Sequence, residues 1–175
     1  MIAVDTNLLV YAHRSAVPEH RRAREALARA ASDTAGWGIS LPVLGEFWSI
    51  VTHPKSSGGP STALQATSFI RVLIRDGEMR IWTPGVSFAD QLLQRAASLS
   101  VSGARIFDLQ IALIAADNGA REIWTHDLNF VRLPGIRVRD PLCKRTPPRQ
   151  SGWLLPVGST GLLQYDRCSR ALMLV

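Results

Sequence analysis

A chain of 175 residues with 46% apolar content is long enough to bury a sizeable single core, and no apolar run approaches the roughly 20 residues that cross a bilayer. The first residues show no basic region leading into an apolar stretch and a small-residue cleavage site, so the expectation is a cytoplasmic protein with no membrane attachment. Residues 1–142 carry 15 Lys and Arg against 13 Asp and Glu, so +4 of the net +6 falls on residues 143–175, which tempers a nucleic-acid reading of the charge; the body's cations are nearly all Arg, suited to phosphate but more often a solvated helix face.

IAV (2–4) reads as a short buried strand, and Asp5-Thr6-Asn7 offers capping side chains to a helix over LLVYAH. Pro18 starts a second helix, with Ala23, Ala26, Leu27 and Ala30 on one face and Arg21, Arg22, Arg24 and Arg29 around them as a solvated surface. GWGIS (36–40) is a second strand, followed by an apolar helix from Pro42 to Thr52 and a Pro/Ser/Gly loop at 53–61. A helix over 62–75, the strand MRIW (79–82), a helix carrying Ala89, Leu92, Ala96 and Leu99, and a helix over 107–118 come next. EIWT (122–125) and IRV (136–138) close the series as strands. This alternation predicts an α/β fold, three-layer α/β/α with a short, mostly parallel central sheet, whose ligands lie outside the carboxyl ends of the strands. Residues 143–175 break the pattern with clustered Pro and Gly and no sustained period, and read as a poorly ordered extension to a domain spanning 1–142. The two cysteines, Cys143 and Cys168, have no metal-ligand spacing.

Four acids interrupt apolar surroundings. Asp5 stands within IAVDTNLLVYA, Glu46 is the only charge of LPVLGEFWSIVT (41–52), Asp108 the only charge of IFDLQIALIAA (106–116), and Asp127 the only acid of IWTHDLNF (123–130). An ionised carboxylate in such a setting is costly unless it is paired, caps a helix or meets a metal. Taken singly, Asp5 and Asp127 are better explained as N-caps between strand and helix, and Asp108 as a complement to its helix dipole. Glu46 resists such an account, since it falls in mid-helix, in line with Val43 and Ile50. On a parallel sheet all four acids would converge at one end. Like charges gathered there favour a hard divalent cation, Mg²⁺ or Mn²⁺, because every candidate ligand is oxygen.

Here the chain resembles the PIN domain, specifically the VapC-type toxin ribonucleases of type II toxin–antitoxin systems. The resemblance rests on DTN at 5–7, an acid in the helix after the second strand, an acid opening the helix before the fourth, the segment Thr125-x-Asp127-x-x-Phe130, V-T-H-P after the Glu46 helix, and the closing L-P-G-I-R-V-R-D-P-L. It covers residues 1 to about 142. What it implies is a metal-dependent endoribonuclease hydrolysing RNA phosphodiester bonds, with Mg²⁺ or Mn²⁺ held by Asp5 and Asp108 and with Glu46 and Asp127 completing the catalytic quartet. It also implies a homodimer silenced by a cognate antitoxin that binds an apolar groove and plugs the acids with a basic side chain. Asn129 stands where many relatives carry a further acid, and the sequence around Asp108 is more apolar than theirs.

Metal ions in such a cluster would cancel the repulsion between carboxylates and phosphate and lower the pKa of a bound water. Thr6 and Asn7 are better suited to capping than to orienting Asp5, and Thr125 serves equally as a holder of a carboxylate or as ordinary strand. His13, His20, His53 and His126 read as mostly surface residues, and Trp48, Trp82 and Trp124 as core. A phosphatase of the HAD type also places an aspartate after its first strand, but it needs a site lysine, and the only lysines are Lys55 in a loop and Lys144 in the tail. The remaining alternative is a catalytically silent RNA- or partner-binding protein on the same fold.

Overall fold

The structure is a computed structural model, and it describes residues 1–56 and 58–143. Residues 1–142 form one compact unit. The irregular extension expected at 143–175 lies, apart from Cys143, outside the described residues. Five strands run β1 (Ile2–Val4), β2 (Trp37–Ser40), β3 (Arg80–Trp82), β4 (Glu122–Trp124) and β5 (Arg137–Arg139), and six helices connect the first four: α1 (Thr6–His13), α2 (His20–Ala31), α3 (Leu41–Thr52), α4 (Ala63–Arg75), α5 (Phe88–Ser98) and α6 (Arg105–Asp117). The strands pair in the order β3-β2-β1-β4-β5, every pair parallel.

Parallel strands buried on both faces show unbroken apolar runs in place of alternation. Every residue of β1 and β2 is buried. Because successive side chains point to opposite faces, helices must cover both sides of the sheet centre. The edge strands β3 and β5 are more exposed and carry Arg80, Arg137 and Arg139, charges that discourage edge-to-edge pairing with another chain. Gly38 in β2 is dictated by its neighbour: a Cβ there would meet the Arg80 carbonyl oxygen at 2.5 Å and the Trp82 ring at 2.9 Å.

Several surface assignments prove to be anchors. Arg22 and Arg29 of α2 are not merely solvated: they donate to the carbonyls of Leu142 (3.3 Å) and Pro141 (3.1 Å), and Arg29 and Arg139 lie over the Trp124 ring at 5.9 and 5.3 Å. Both arginines thereby tie the segment after β5 to α2. Trp82 and Trp124 are core residues, whereas Trp48 is 39% exposed, because it falls on the solvent side of α3 opposite Val43, Phe47 and Val51.

Candidate active site

The sheet order reverses between β1 and β4: the chain leaves β1 for β2 on one side and returns to β4 on the other. Loops diverge at such a point and leave a crevice beyond the carboxyl ends of the two strands. Asp5 follows β1 directly, and Thr125 and Asp127 follow β4. The amide of Asp5 donates to the Trp124 carbonyl at 3.0 Å, which carries the β1–β4 ladder one residue into the crevice. Glu46 lies in the second turn of α3 and Asp108 in the first turn of α6.

Asp5 is 7% exposed and held by three donors. Its Oδ1 accepts the Thr6 amide at 2.7 Å, making it the N-cap of α1, while Oδ2 accepts Asn7 Nδ2 at 2.8 Å and the Thr125 hydroxyl at 2.7 Å. A carboxylate has about four acceptor directions, so one remains open, on Oδ1. Thr125 Oγ1 is itself saturated, donating to Asp5 and accepting from Asn7 Nδ2 (2.8 Å) and the Asp127 amide (2.9 Å). The side-chain oxygen of Asn7 accepts the His126 amide at 3.1 Å. Thr6 donates its hydroxyl to Glu46 Oε2 at 2.5 Å across 40 residues of chain. Thr6 and Asn7 therefore orient the acids, and capping falls to Asp5 alone. Asp127 caps no helix: its Oδ1 accepts the Asn129 amide at 2.8 Å in a tight turn.

The carboxylates act on one another. Burial, the largest influence, pushes Asp5 from an ordinary 3.8 up to about 7, with the charges of Glu46 and Asp108 adding to it against the lowering effect of the Thr125 and Thr6 donors. Burial likewise raises Asp108 to about 6, reinforced by Asp127 and Glu46 and opposed by the Val131 amide and Arg105. Among the described residues no Lys or Arg pairs with any of the four acids. Asp5 is buried and Asp108 half-buried, whereas Glu46 and Asp127 are exposed.

A second polar group adjoins the first. His126 Nδ1 lies 2.8 Å from Asp140 Oδ2, whose other oxygen accepts the Leu142 amide at 2.8 Å, and the Tyr11 ring meets the imidazole edge-on at 6.0 Å. Tyr11 is raised by burial and then by Glu19, Asp5, Asp127 and Asp140. His13 and His20 are also partly buried, on Ser61 Oγ (2.9 Å) and the Tyr11 carbonyl (3.0 Å), so His53 alone of the four is exposed. Sequence reasoning missed the His126–Asp140 pair and the Thr6–Glu46 bond. The only local signal was that each lies beside an acid of the set.

Among the described residues no three His, Cys, Asp or Glu side chains stand close enough to grip a metal ion between them. Mg²⁺ is commonly held by one or two carboxylates and otherwise by water. Such a requirement matches Asp5, with its single open acceptor direction, and the half-buried Asp108.

A family model described as PIN domain matches residues 2–136. A VapC ribonuclease of Mycobacterium bovis is 31% identical over 146 residues, covering 83% of this chain and 99% of that protein, and ribonuclease VapC33 of Mycobacterium tuberculosis is 28% identical over 142 residues, 81% and 99%. Among solved structures, VapC20 of Mycobacterium tuberculosis, a toxin that cleaves the sarcin–ricin loop, superposes with a TM-score of 0.58 at 16% identity over 74% of this chain and 92% of its own. VapBC2 of Rickettsia felis, bound to a DNA fragment from its promoter, gives 0.54 at 23% identity over 80% and 98%. Among the described residues no helix is long and apolar enough to cross a membrane.

Proposed function

This chain belongs to the PIN-domain family, and on that footing we propose that it is an endoribonuclease, the toxin of a toxin–antitoxin pair, which uses Mg²⁺ or Mn²⁺ to hydrolyse RNA phosphodiester bonds. The observation that carries this reading is Asp5: a carboxylate buried at the topological switch point, beside other acids and, among the described residues, with no cationic side chain paired to it. The printed names of two relatives, VapC ribonuclease and ribonuclease VapC33, supply the reaction class.

In this reading residues 1–142 are the nuclease domain and Asp5 and Asp108 hold the metal. A divalent ion there supplies an acidified water and neutralises the phosphate. The chain's own residues do the positioning. Thr125, Asn7 and the Thr6 amide fix the Asp5 carboxyl in one orientation, and the Val131 amide does the same for Asp108. Glu46, steadied by Thr6, and Asp127, steadied by Asn129, stand at the mouth as acceptors for the attacking water and its proton. No protein nucleophile takes part. An antitoxin, a homodimeric state and a cytoplasmic location complete the proposal.

The test is cleavage of total RNA by the purified chain with Mg²⁺, with Mn²⁺ and with chelator, beside Asp5→Asn and Asp108→Asn. Metal-dependent fragmentation lost in both variants is expected. Equal cleavage by all three proteins overturns the site, and no cleavage under any metal leaves a silent binding protein in its place.

A further inference from the structure

Beside the acid cluster lies a cavity of about 480 Å³ that the proposed reaction does not use, lined by Leu99, Val101, Arg105, Leu128 and Arg132 and by the segment from Asn129 to Val131. It is built from three separate parts of the chain: the end of α5 with the residues after it, the start of α6, and the loop after β4. Its inner wall is shared with the site. The Asn129 amide that donates to Asp127 and the Val131 amide that donates to Asp108 both belong to residues lining the cavity. Arg105 sits three residues before Asp108 on the same helix, near enough for its charge to act on that carboxyl.

Resting on the nuclease reading, we propose that this cavity is the subsite for the nucleotide next to the scissile phosphate, taking its base unstacked from single-stranded RNA. The chemistry of the walls decides the occupant. Leu99 and Leu128 are large apolar side chains left 38% and 58% exposed, a floor on which the flat face of a base can lie without sequence preference. Arg105 and Arg132 are both exposed, and among the described residues neither guanidinium has a carboxylate partner or a hydrogen bond. Two free guanidiniums beside an apolar floor suit the phosphate and base of one nucleotide, and their positive charge offsets the repulsion that the acids impose on an incoming backbone. The cavity volume accommodates a single base and sugar.

The experiment measures binding of a short fluorescent single-stranded RNA, and of the same RNA in a duplex, to the full-length chain in chelator, where cleavage is absent. The variants are Arg105→Gln with Arg132→Gln, Leu128→Ala, and Arg24→Gln as an equally exposed arginine outside the cavity. Thermal melts verify that each is folded. The double variant is expected to lose at least tenfold in affinity for the single strand and about 0.7 in the slope of log affinity against log salt, the change for the one phosphate contact on a single strand, since the other guanidinium meets the base. Leu128→Ala loses severalfold, Arg24→Gln stays within twofold, and the duplex binds at least tenfold more weakly than the single strand. Binding by the double variant within twofold of the parent, or an equal loss in Arg24→Gln, overturns the subsite even where the parent cleaves RNA with Mg²⁺. A parent that binds through these arginines but fails to cleave RNA with either Mg²⁺ or Mn²⁺ keeps the subsite and loses the nuclease reading.

Discussion

Thr125 and Asp5, 120 residues apart in the chain, are joined by a hydrogen bond of 2.7 Å that links the ends of β4 and β1 at the centre of the sheet. Thr125 is 1% exposed and its hydroxyl uses every donor and acceptor direction it has, with Asp5, Asn7 and Asp127 each taking one. One oxygen thereby sets the relative position of two of the four acids.

Replacing that hydroxyl with a methyl tests the arrangement. Thr125→Val keeps the shape but strands one N–H of Asn7 Nδ2 and the Asp127 amide, and removes a donor from Asp5. The cost expected is about 1–3 kcal/mol in stability and at least tenfold in kcat, with KM little changed. Thr125→Ser, which retains the hydroxyl, should recover most of the activity. Denaturant unfolding and steady-state cleavage measure both quantities, and parent-like behaviour of Thr125→Val removes the hub.

The raised Asp5 carboxyl makes stability depend on pH in a definite direction. Its folded value, about 7, exceeds the ordinary 3.8, so the folded chain binds the proton more tightly than the unfolded chain does. The contribution is fully present below about 3.8 and is lost as pH rises toward 7. Without metal, the melting temperature of the parent relative to Asp5→Asn should therefore fall between pH 4 and 7. A difference that is flat or rises over that window contradicts it.

Metal runs the other way. If Asp5 (about 7) and Asp108 (about 6) hold Mg²⁺ as proposed, the metal competes with their protons, so the shift in melting temperature on adding Mg²⁺ should grow from pH 5 to 7 and level off above that. Asp108→Asn should abolish most of the shift. A Mg²⁺ shift equal at pH 5 and pH 8 argues against these two carboxylates as its ligands.

Gly38→Ala probes the sheet alone. Its added methyl would sit 2.5 Å from the Arg80 carbonyl oxygen, a backbone atom that moves only with β3. A loss of about 1–3 kcal/mol is expected from overpacking, with any surviving folded protein cleaving RNA normally. Unchanged stability would mean that β3 shifts at little cost.

His126→Ala should loosen the segment after β5, because His126 holds Asp140 and Asp140 in turn holds the Leu142 amide. Hydrogen exchange at Leu142 is expected to accelerate at least tenfold while the amides of β1 stay protected. Equal protection in the variant would leave the arginines of α2 and the burial of Leu142 to anchor the segment.

Much of this molecule was legible in the chain. Every strand and helix expected from the apolar runs is present within two residues of its anticipated end, because a parallel sheet covered on both faces needs the unbroken runs of IAV and WGIS, and its crossover helices need the 3.6-residue repeats. The four acids stood out for the same reason, as charges inside apolar surroundings. Tertiary structure alone could decide what those acids touch. Reading outward from the local sequence, Thr6 and Asn7 were cappers, Arg22 and Arg29 solvated, Trp48 core and Asp127 a helix cap. Thr6, Asn7 and the two arginines were overturned by partners on distant segments, Glu46 for Thr6, Thr125 for Asn7 and residues 141–142 for the arginines, while Trp48 proved exposed and Asp127 caps a tight turn through the Asn129 amide. Periodicity reports which face of an element is buried, since that is a property of the element itself. Hydrogen bonds are contacts at about 3 Å between elements, and the order β3-β2-β1-β4-β5, which brings Asp5 beside Thr125, is fixed only when the sheet assembles.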